Sequence, residues 1–311
     1  MNDCLTVGFF GSGKFAADCL RLITGKVRPL WVITSEAKPA GRGMRERVTL
    51  VQKTALELGI SLYTTDKIGR DEIRLAWIKE NLPDVILVID FGQMIKEPLL
   101  SMPRLGCLNI HPSLLPAYRG SAPIQRAIMD GLESTGVTIF RLDAGMDSGP
   151  VLAQRRVEIG FYDDSGSLQK KCSEVGCTLL NDYLCKIPAS EWKFIPQNEC
   201  GVSLAPKISR DEARIDWNQP AINVFNRIRA LYPAPVAYTI VKGKRLKILR
   251  ACPEAGCGAP ATLAGAQNGL PVIACGEGLL RLELVQPENK SEMSAADWFR
   301  GARLQIGKLI F

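Results

Sequence analysis

Apolar segments of strand length alternate with amphipathic helical segments through the first two thirds of the chain, and beyond them come short strands separated by glycines. Together these patterns predict an α/β protein, with a Rossmann-like, mostly parallel sheet in an N-terminal domain and a smaller C-terminal β-barrel (OB-like) domain. The chain has 311 residues, 46% of them hydrophobic and 23% charged, which is enough material for two buried cores.

The run Leu5 to Phe10 is apolar and of strand length; the glycine turn Gly11-Ser12-Gly13 ends it, and a helical segment from Phe15 to Ile23 follows. The pattern recurs with a strand at Leu30 to Thr34, a helix at Val48 to Leu58, a strand at Ile60 to Thr64, a helix across Asp71 to Glu80 and a strand at Asp84 to Ile89. Strands without polar alternation are buried on both faces, as parallel strands flanked by helices are. Gly106 to Ile110 is the next strand. Ser121-Ala122-Pro123 opens a helix with Ser121 as its N-cap, and Gly131 closes it. Val137 to Leu142 and Val151 to Ile159 read as further strands, and Ser165 to Leu184 as a long closing helix.

Prolines at 188, 196 and 206 and a lack of periodicity mark residues 190–206 as an interdomain linker, so the first domain covers residues 1–189 and the second 207–311. In the second, a helical segment from Pro220 to Ala230 precedes strands at Val236 to Val241, Leu246 to Ala251, Gly269 to Cys275 and Leu279 to Gln286, a spacing that suits a small barrel or sandwich.

No apolar run reaches the length of a membrane span, and Met1-Asn2-Asp3-Cys4 has neither the basic start nor the hydrophobic centre of a signal peptide. The ten cysteines form no paired CxxC spacing, so they read as reduced thiols of a cytoplasmic protein without a metal site. The net charge of +7 is uneven: Lys and Arg outnumber Asp and Glu by 15 to 9 from Lys207 onward and by 24 to 23 before it. A nearly neutral first domain joined to a basic second one suits a small-molecule site in the first and a polyanion held by the second, where Lys207 and Arg245 are candidate contacts. On charge alone, a merely soluble basic surface competes with that reading.

Two phosphate-binding motifs are approximated at the first glycine turn. Gly8 to Lys14 follows most of the P-loop, but Phe15 stands where a hydroxyl must hold magnesium, which excludes an NTPase. Gly11-Ser12-Gly13-Lys14-Phe15-Ala16 also fits a dinucleotide fingerprint, with Glu36 placed to bind a ribose. Against it, Glu36 leads into a long Gly/Pro loop holding Lys38, Arg42, Arg45 and Arg47 against the single acid Glu46. Arginines on such a loop at the ligand edge of a sheet suit a phosphate or RNA clamp, and a solvated surface loop is the alternative.

The only histidine, His111, lies in Asn109-Ile110-His111-Pro112-Ser113-Leu114-Leu115-Pro116 at the end of a strand. Residues i and i+2 of an extended segment project to one side, so Asn109 and His111 share a face at the carboxyl end of the strand, where open α/β sheets gather ligands. The loop Leu142-Asp143-Ala144-Gly145-Met146-Asp147-Ser148-Gly149-Pro150 offers Asp143 or Asp147 as a carboxylate partner. An amide, an imidazole and a carboxylate without a serine or cysteine nucleophile suit direct group transfer, the amide holding a developing oxyanion and the other two managing a proton.

With these residues in place the chain resembles the methionyl-tRNA formyltransferase family. The matching strings are Lys38 to Gly43, Arg104 to His111, Ser113 to Pro116, Arg119 to Gln125, Thr135 to Thr138, Asp147 to Gly149 and Ala213 to Trp217, which run through both expected domains. The resemblance implies that Asn109, His111 and Asp147 are a catalytic trio. It implies 10-formyltetrahydrofolate as co-substrate, in a pocket walled by Ser113, Leu114, Leu115 and Pro116 and by Ile89, Phe91 and Gly92, and no metal. It implies initiator methionyl-tRNA as acceptor, with Lys38, Arg42, Arg45, Arg47, Lys207 and Arg245 toward the tRNA, and a monomer. The implied chemistry has a neutral amine attack the formyl carbon while Asn109 and a protonated His111 stabilise the oxyanion and Asp147 sets the charge of His111.

The chain departs from that family's pattern at Gly11-Ser12-Gly13-Lys14 and at Asp90, whose acid either bonds the pterin or points away. A formyltransferase acting on an amino-sugar nucleotide is the alternative within the fold, and a nonenzymatic RNA-binding relative is the alternative outside enzymology.

Overall fold

The computed structural model of the chain describes residues 5–40 and 45–310, with the backbone alone at 38–40 and 45–47. The chain divides into two compact units, one of Met1–Gly120, Thr135–Glu158 and Gln169–Leu204, the other of Ser121–Ser134, Ile159–Leu168 and Ala205–Phe311.

Chain order begins β1 (Val7–Gly11), α1 (Lys14–Thr24), β2 (Trp31–Ser35), a short hairpin of β3 (Lys38–Ala40) and β4 (Arg45–Arg47), α2 (Leu50–Glu57), β5 (Leu62–Thr65), α3 (Glu72–Glu80), β6 (Val85–Ile89) and β7 (Cys107–His111). It continues with α4 (Pro123–Met129), β8 (Ser134–Arg141), β9 (Val151–Glu158) and α5 (Ser165–Cys185). The main sheet has the order β5-β2-β1-β6-β7-β8-β9. Its first five members pair in parallel, and β8 runs antiparallel to β7.

Every residue of β1 and β6 is buried, which is why both read as unbroken apolar runs. Phe10, Trp31, Ile33, Ile86 and Phe91 share one core cluster, in which Phe10 meets Trp31 and Phe91 edge-on at 5.6 and 5.0 Å between ring centres. Helix α1 packs through Phe15, Ala16, Cys19, Leu20 and Ile23, spaced along one face. Side chains start the next two helices: Thr49 accepts from Gln52 N at 3.0 Å and Asp71 accepts from Arg74 N at 2.9 Å, each worth about 1 kcal/mol.

The first connection from β1 runs outward to β2 and β5, and the chain then returns to place β6 on the other side of β1. This reversal opens a crevice at the carboxyl ends of the strands, where Gly11, Ile89 and His111 end β1, β6 and β7. Ser121 does not cap α4: the N-cap position is Ala122, without a side-chain bond, because Pro123 with its fixed φ takes the first helical position.

The second unit contains α6 (Ala221–Leu231), β10 (Tyr238–Val241), β11 (Lys244–Glu254), β12 (Leu263–Gln267), β13 (Leu270–Ala274), β14 (Leu279–Pro287), β15 (Met293–Ser294) and α7 (Ala295–Ala302). Its antiparallel sheet has the path β10-β11-β14-β13-β12, with β15 on β14. The end strands β10 and β12 do not pair among the described residues, so the sheet is open and the closed barrel predicted from sequence is corrected. Strand spacing encodes the hairpins between chain neighbours, but not the long-range pairing that closure requires. Its core gathers Trp217, Phe225, Ile228, Leu246, Ile248, Leu280 and Leu282, and the Trp217 indole donates to Thr239 Oγ1 at 3.1 Å. Arg126 of α4 grips Glu212 through two contacts, Nη1–Oε2 at 2.5 Å and Nη2–Oε1 at 3.1 Å.

Candidate active site

His111 is the last residue of β7 and stands opposite Thr138 of β8. The Thr138 hydroxyl fixes the loop that follows, donating to Ser113 O at 2.7 Å and accepting from Leu115 N at 3.0 Å. Gln154 of β9 braces the same loop by donating to Leu115 O at 2.7 Å. The imidazole therefore leaves a strand end whose continuation is tied to β8 and β9, and its position is set by sheet geometry.

The ring is buried, 6% exposed, and its two nitrogens have different tasks. Nε2 lies 2.9 Å from Tyr118 O. A carbonyl only accepts, so Nε2 carries the hydrogen and Nδ1 of the neutral ring is left as the basic nitrogen. Nδ1 faces Asp147 Oδ2 at 3.7 Å. Burial lowers the pKa of His111 below its usual 6.5, while the charge of Asp147 and the bond to Tyr118 O pull the other way and are outweighed. Desolvation thus exceeds the attraction of one carboxylate and favours the neutral ring at rest.

Asp147 sits in the left-handed region at φ 52°, a conformation that aspartate tolerates better than most side chains but still needs outside support. Its Oδ2 accepts from Gly120 N at 2.8 Å. Asp143, the other sequence candidate, folds back on its own loop and accepts from Gly145 N at 3.0 Å and Ser148 Oγ at 2.9 Å. Only Asp147 reaches the imidazole. Ser113 is fully buried and its hydroxyl donates to Ala117 O at 2.6 Å, which removes it as a nucleophile.

Asn109 precedes His111 by two residues and donates Nδ2 to Val88 O at 2.8 Å. The β6–β7 pairing ends at Leu87 and Leu108, so the amide takes over a carbonyl beyond the ladder. One Nδ2 hydrogen remains, and Oδ1 is buried with no hydrogen-bond partner among the described residues. An amide held by one bond, with a buried orphan atom beside the imidazole, is arranged to meet a ligand.

The glycine turn is filled by the protein itself. Asp90 O accepts from Ser12 N at 3.0 Å and Gly13 N at 3.2 Å, and the Asp90 carboxyl accepts from Phe15 N at the start of α1. A Cβ on Gly13 would stand 1.8 Å from Asp90 Oδ2. Asp90 as a whole is exposed, yet that crowding strips water from its carboxyl and pushes its pKa up to about 6. A nucleotide phosphate would need the same helix N-terminus, so the dinucleotide reading loses its anion site to Asp90, whose acid points into the turn.

A formyl transferase family model matches residues 7–184, and a formyl transferase C-terminal domain model matches residues 207–303. The chain is 39% identical over 302 residues to methionyl-tRNA formyltransferase of Paracoccus denitrificans, covering 96% of this chain and 98% of that one. It is 36% identical over 301 residues to the enzyme of the same name from Thermodesulfovibrio yellowstonii, covering 96% of each. The chain belongs to the methionyl-tRNA formyltransferase family. Among solved structures, the N-formyltransferase from Helicobacter canadensis, in complex with folinic acid and dTDP-3-aminofucose, shares the fold at a TM-score of 0.66 and 17% identity, covering 91% of this chain and 99% of that one.

In this member of the methionyl-tRNA formyltransferase family a cavity of about 750 Å³ lies beside the Asp147 loop, lined by Met94, Ile95, Leu100, Arg104, Arg141 and Leu142 among others. None of the seven residues expected at the folate wall lines it. Ile89, Phe91, Ser113 and Leu115 are buried, Leu114 and Pro116 half-buried, and Gly92 exposed at φ 75°. Phe91 shares a core cluster with Ile95 of the lining, and Leu100 and Leu142 pack against that cluster.

Of the residues expected toward tRNA, Arg42 lies outside the described residues, as do the side chains of Lys38, Arg45 and Arg47. Lys207 is exposed, and the exposed Arg245 lays its guanidinium 4.1 Å from the centre of the Tyr238 ring. Sequence reasoning missed Arg119 and Gln197: the buried Arg119 donates twice to Gln197 Oε1, whose own amide donates to the Asp147 loop. Gln197 belongs to the stretch read as a linker, and a glutamine in an aperiodic segment carries no signal of such a role.

Proposed function

We propose that this chain transfers a formyl group from 10-formyltetrahydrofolate to the α-amino group of methionyl initiator tRNA, and so supports translation initiation. The observation that carries this reading is the convergence of Asn109, the Nδ1 side of a neutral His111 and Asp147 at one strand end, with the neighbouring serine hydroxyl already committed. Such a set has a base and an oxyanion donor but no covalent nucleophile, which suits direct attack by a substrate amine.

10-Formyltetrahydrofolate supplies the formyl group. A C–N bond to the methionyl nitrogen forms, the C–N bond to the folate breaks, and one proton leaves the incoming amine for the folate nitrogen. In our reading the free N–H of Asn109 bonds the formyl oxygen as it gains negative charge. His111 Nδ1 takes the amine proton and returns it to the leaving nitrogen. Asp147 stabilises the imidazolium formed in between, which is the state that a lone buried histidine resists.

The cavity fits the folate in size and chemistry: Met94, Ile95, Leu100 and Leu142 offer an apolar surface to a flat ring system, while Lys96, Arg104 and Arg141 offer charge to an anionic tail. Ile89, Phe91, Gly92 and Ser113 to Pro116 are proposed as the frame around that site. The basic loop with Lys38, Arg42, Arg45 and Arg47, and the cations Lys207 and Arg245, are proposed as tRNA contacts, supported by the charge excess after Lys207. A monomeric enzyme of the cytoplasm belongs to the same proposal. Among the described residues no helix is long and apolar enough to cross a membrane.

The test offers purified protein 10-formyltetrahydrofolate with three competing acceptors: methionyl initiator tRNA, methionyl elongator tRNA and an amino-sugar nucleotide. Formylation of the initiator tRNA is expected to dominate. Preference for the sugar nucleotide would move the chain to that branch of the fold, and no transfer to any acceptor would leave an RNA binder.

A further inference from the structure

His111 ends β7 and Asp147 lies in the loop between β8 and β9, and one tripeptide grips both. Tyr118 O accepts from His111 Nε2 at 2.9 Å, and Gly120 N donates to Asp147 Oδ2 at 2.8 Å. Between them the side chain of Arg119, 8% exposed, turns inward and donates through Nε and Nη2 to Gln197 Oε1 at 3.0 and 2.7 Å. The other end of that amide closes the ring: Gln197 Nε2 donates to Asp147 O at 2.9 Å and to Gly149 O at 2.8 Å. The segment carrying Gln197 holds the tripeptide a second time, since Ser203 Oγ accepts from Tyr118 N at 2.8 Å and Ser203 O from Arg119 N at 2.9 Å.

We propose that Arg119 and Gln197 are positioning residues that hold the Asp147 loop against His111 for formyl transfer. The inference rests on the catalytic roles proposed above and adds a cause for their geometry. A left-handed aspartate at φ 52° persists only where its surroundings fix it, and Gln197 bonds the carbonyl of Asp147 and that of Gly149 two residues on. Glutamine is the side chain this place requires. Its oxygen accepts from the buried guanidinium while its two N–H groups serve two carbonyls, whereas glutamate would set a carboxylate oxygen against those carbonyls. Glu199, mostly exposed, lies 3.8 Å from Arg119 Nη2 and supplies the nearby opposite charge.

Two readouts test this on protein freed of any histidine tag. In single-turnover formyl transfer to methionyl-tRNA, Gln197→Ala and Gln197→Glu are each expected to lower the rate at saturation by about 10- to 100-fold, with KM changed by less than about threefold. Added to Asp147→Asn, Gln197→Ala is expected to cost less than about twofold more, because the clip acts through Asp147. Additive losses would overturn the proposal, since a merely structural role acts independently of Asp147. Gln197→Met preserves length and volume, and is expected to match the Ala variant should that one melt below the assay temperature.

The second readout does not depend on activity. With a single histidine in the chain, the imidazole signals in the NMR spectrum belong to His111. Gln197→Ala is expected to move them toward their positions in Asp147→Asn, and unmoved signals would overturn the clip. A parent inactive in formyl transfer would defeat the proposed function and leave this spectrum to decide the positioning role.

Discussion

Asp147 Oδ2 stands 3.7 Å from His111 Nδ1 while the same oxygen accepts the Gly120 N–H at 2.8 Å. The carboxylate is thus anchored to backbone rather than bonded to the ring, and it acts on the imidazole as a fixed charge. Because Tyr118 O occupies the opposite nitrogen, any proton the ring gains arrives on the side facing Asp147. Burial keeps that proton off at rest, and Asp147 makes its brief presence tolerable.

An NMR titration of His111 is expected to give a pKa below 6.5, and Asp147→Asn is expected to lower it further by removing the charge that pulls it up. The linkage follows from the sign of the shift. With the folded pKa depressed, stability is fully present above the unfolded value near 6.5 and is lost as pH falls through the folded pKa, because the unfolded chain then binds the proton more readily. A His111 pKa above 7 in the parent would contradict the neutral-base assignment.

Gly149 faces the backbone of β8. A Cβ there would stand 1.8 Å from Arg141 O, which cannot move without disturbing the sheet edge. Gly149→Ala is therefore expected to push the Asp147 loop outward, destabilise the protein by roughly 1–3 kcal/mol and cut formyl transfer at least about 10-fold. Parent-like melting and activity would show that the loop has more room than the geometry allows.

Asp90 gives a pH signature of opposite sign. Its carboxyl pKa is raised from 3.8 to about 6, so the stability it contributes is fully present below 3.8 and is lost as pH rises through about 6. Asp90→Asn is expected to raise the melting temperature at pH 8 more than at pH 4.5. The gain amounts to about 1 kcal/mol or less once solvent screening of an exposed residue is considered. An equal change at both pH values would remove the titration as its cause.

Much of this was legible in the sequence because burial on both faces leaves a plain mark. The strands β1, β2, β5, β6 and β7 fall within about two residues of the apolar runs that announce them. Asn109 and His111 could be paired by strand spacing alone. Asp143 and Asp147 could not be separated, since both are loop aspartates beside glycines and only long-range bonds distinguish them. The turn at Gly11 to Gly13 was visible, but its occupant was not, for Asp90 reaches it from a strand end 77 residues beyond Gly13. Strand β12 is largely exposed and rich in alanine and glycine, which erases the alternation of a half-buried strand. Gln197 stands 78 residues from Arg119 and 50 from Asp147, and no local pattern encodes contacts of that span.

In the second unit, Arg126 holds the Glu212 pKa down to about 2 from its usual 4.5, with the Ser209 backbone N–H donating to Oε1 at 2.8 Å. This depressed carboxylate contributes stability above about 4.5 that is lost as pH falls through about 2. Glu212→Gln is expected to destabilise by about 1 kcal/mol at pH 7, given partial exposure of the pair, and to make no difference below pH 2. Equal denaturant midpoints for parent and variant at pH 7 would contradict a stabilising pair.

The most direct measurement of the proposed chemistry is the single-turnover rate of formyl transfer from 10-formyltetrahydrofolate to methionyl initiator tRNA, taken for the parent, Asn109→Ala and Asp147→Asn. Each substitution is expected to slow the transfer by about 100- to 1,000-fold while the protein stays folded. Rates within about threefold of the parent for both variants would contradict a centre built from Asn109, His111 and Asp147.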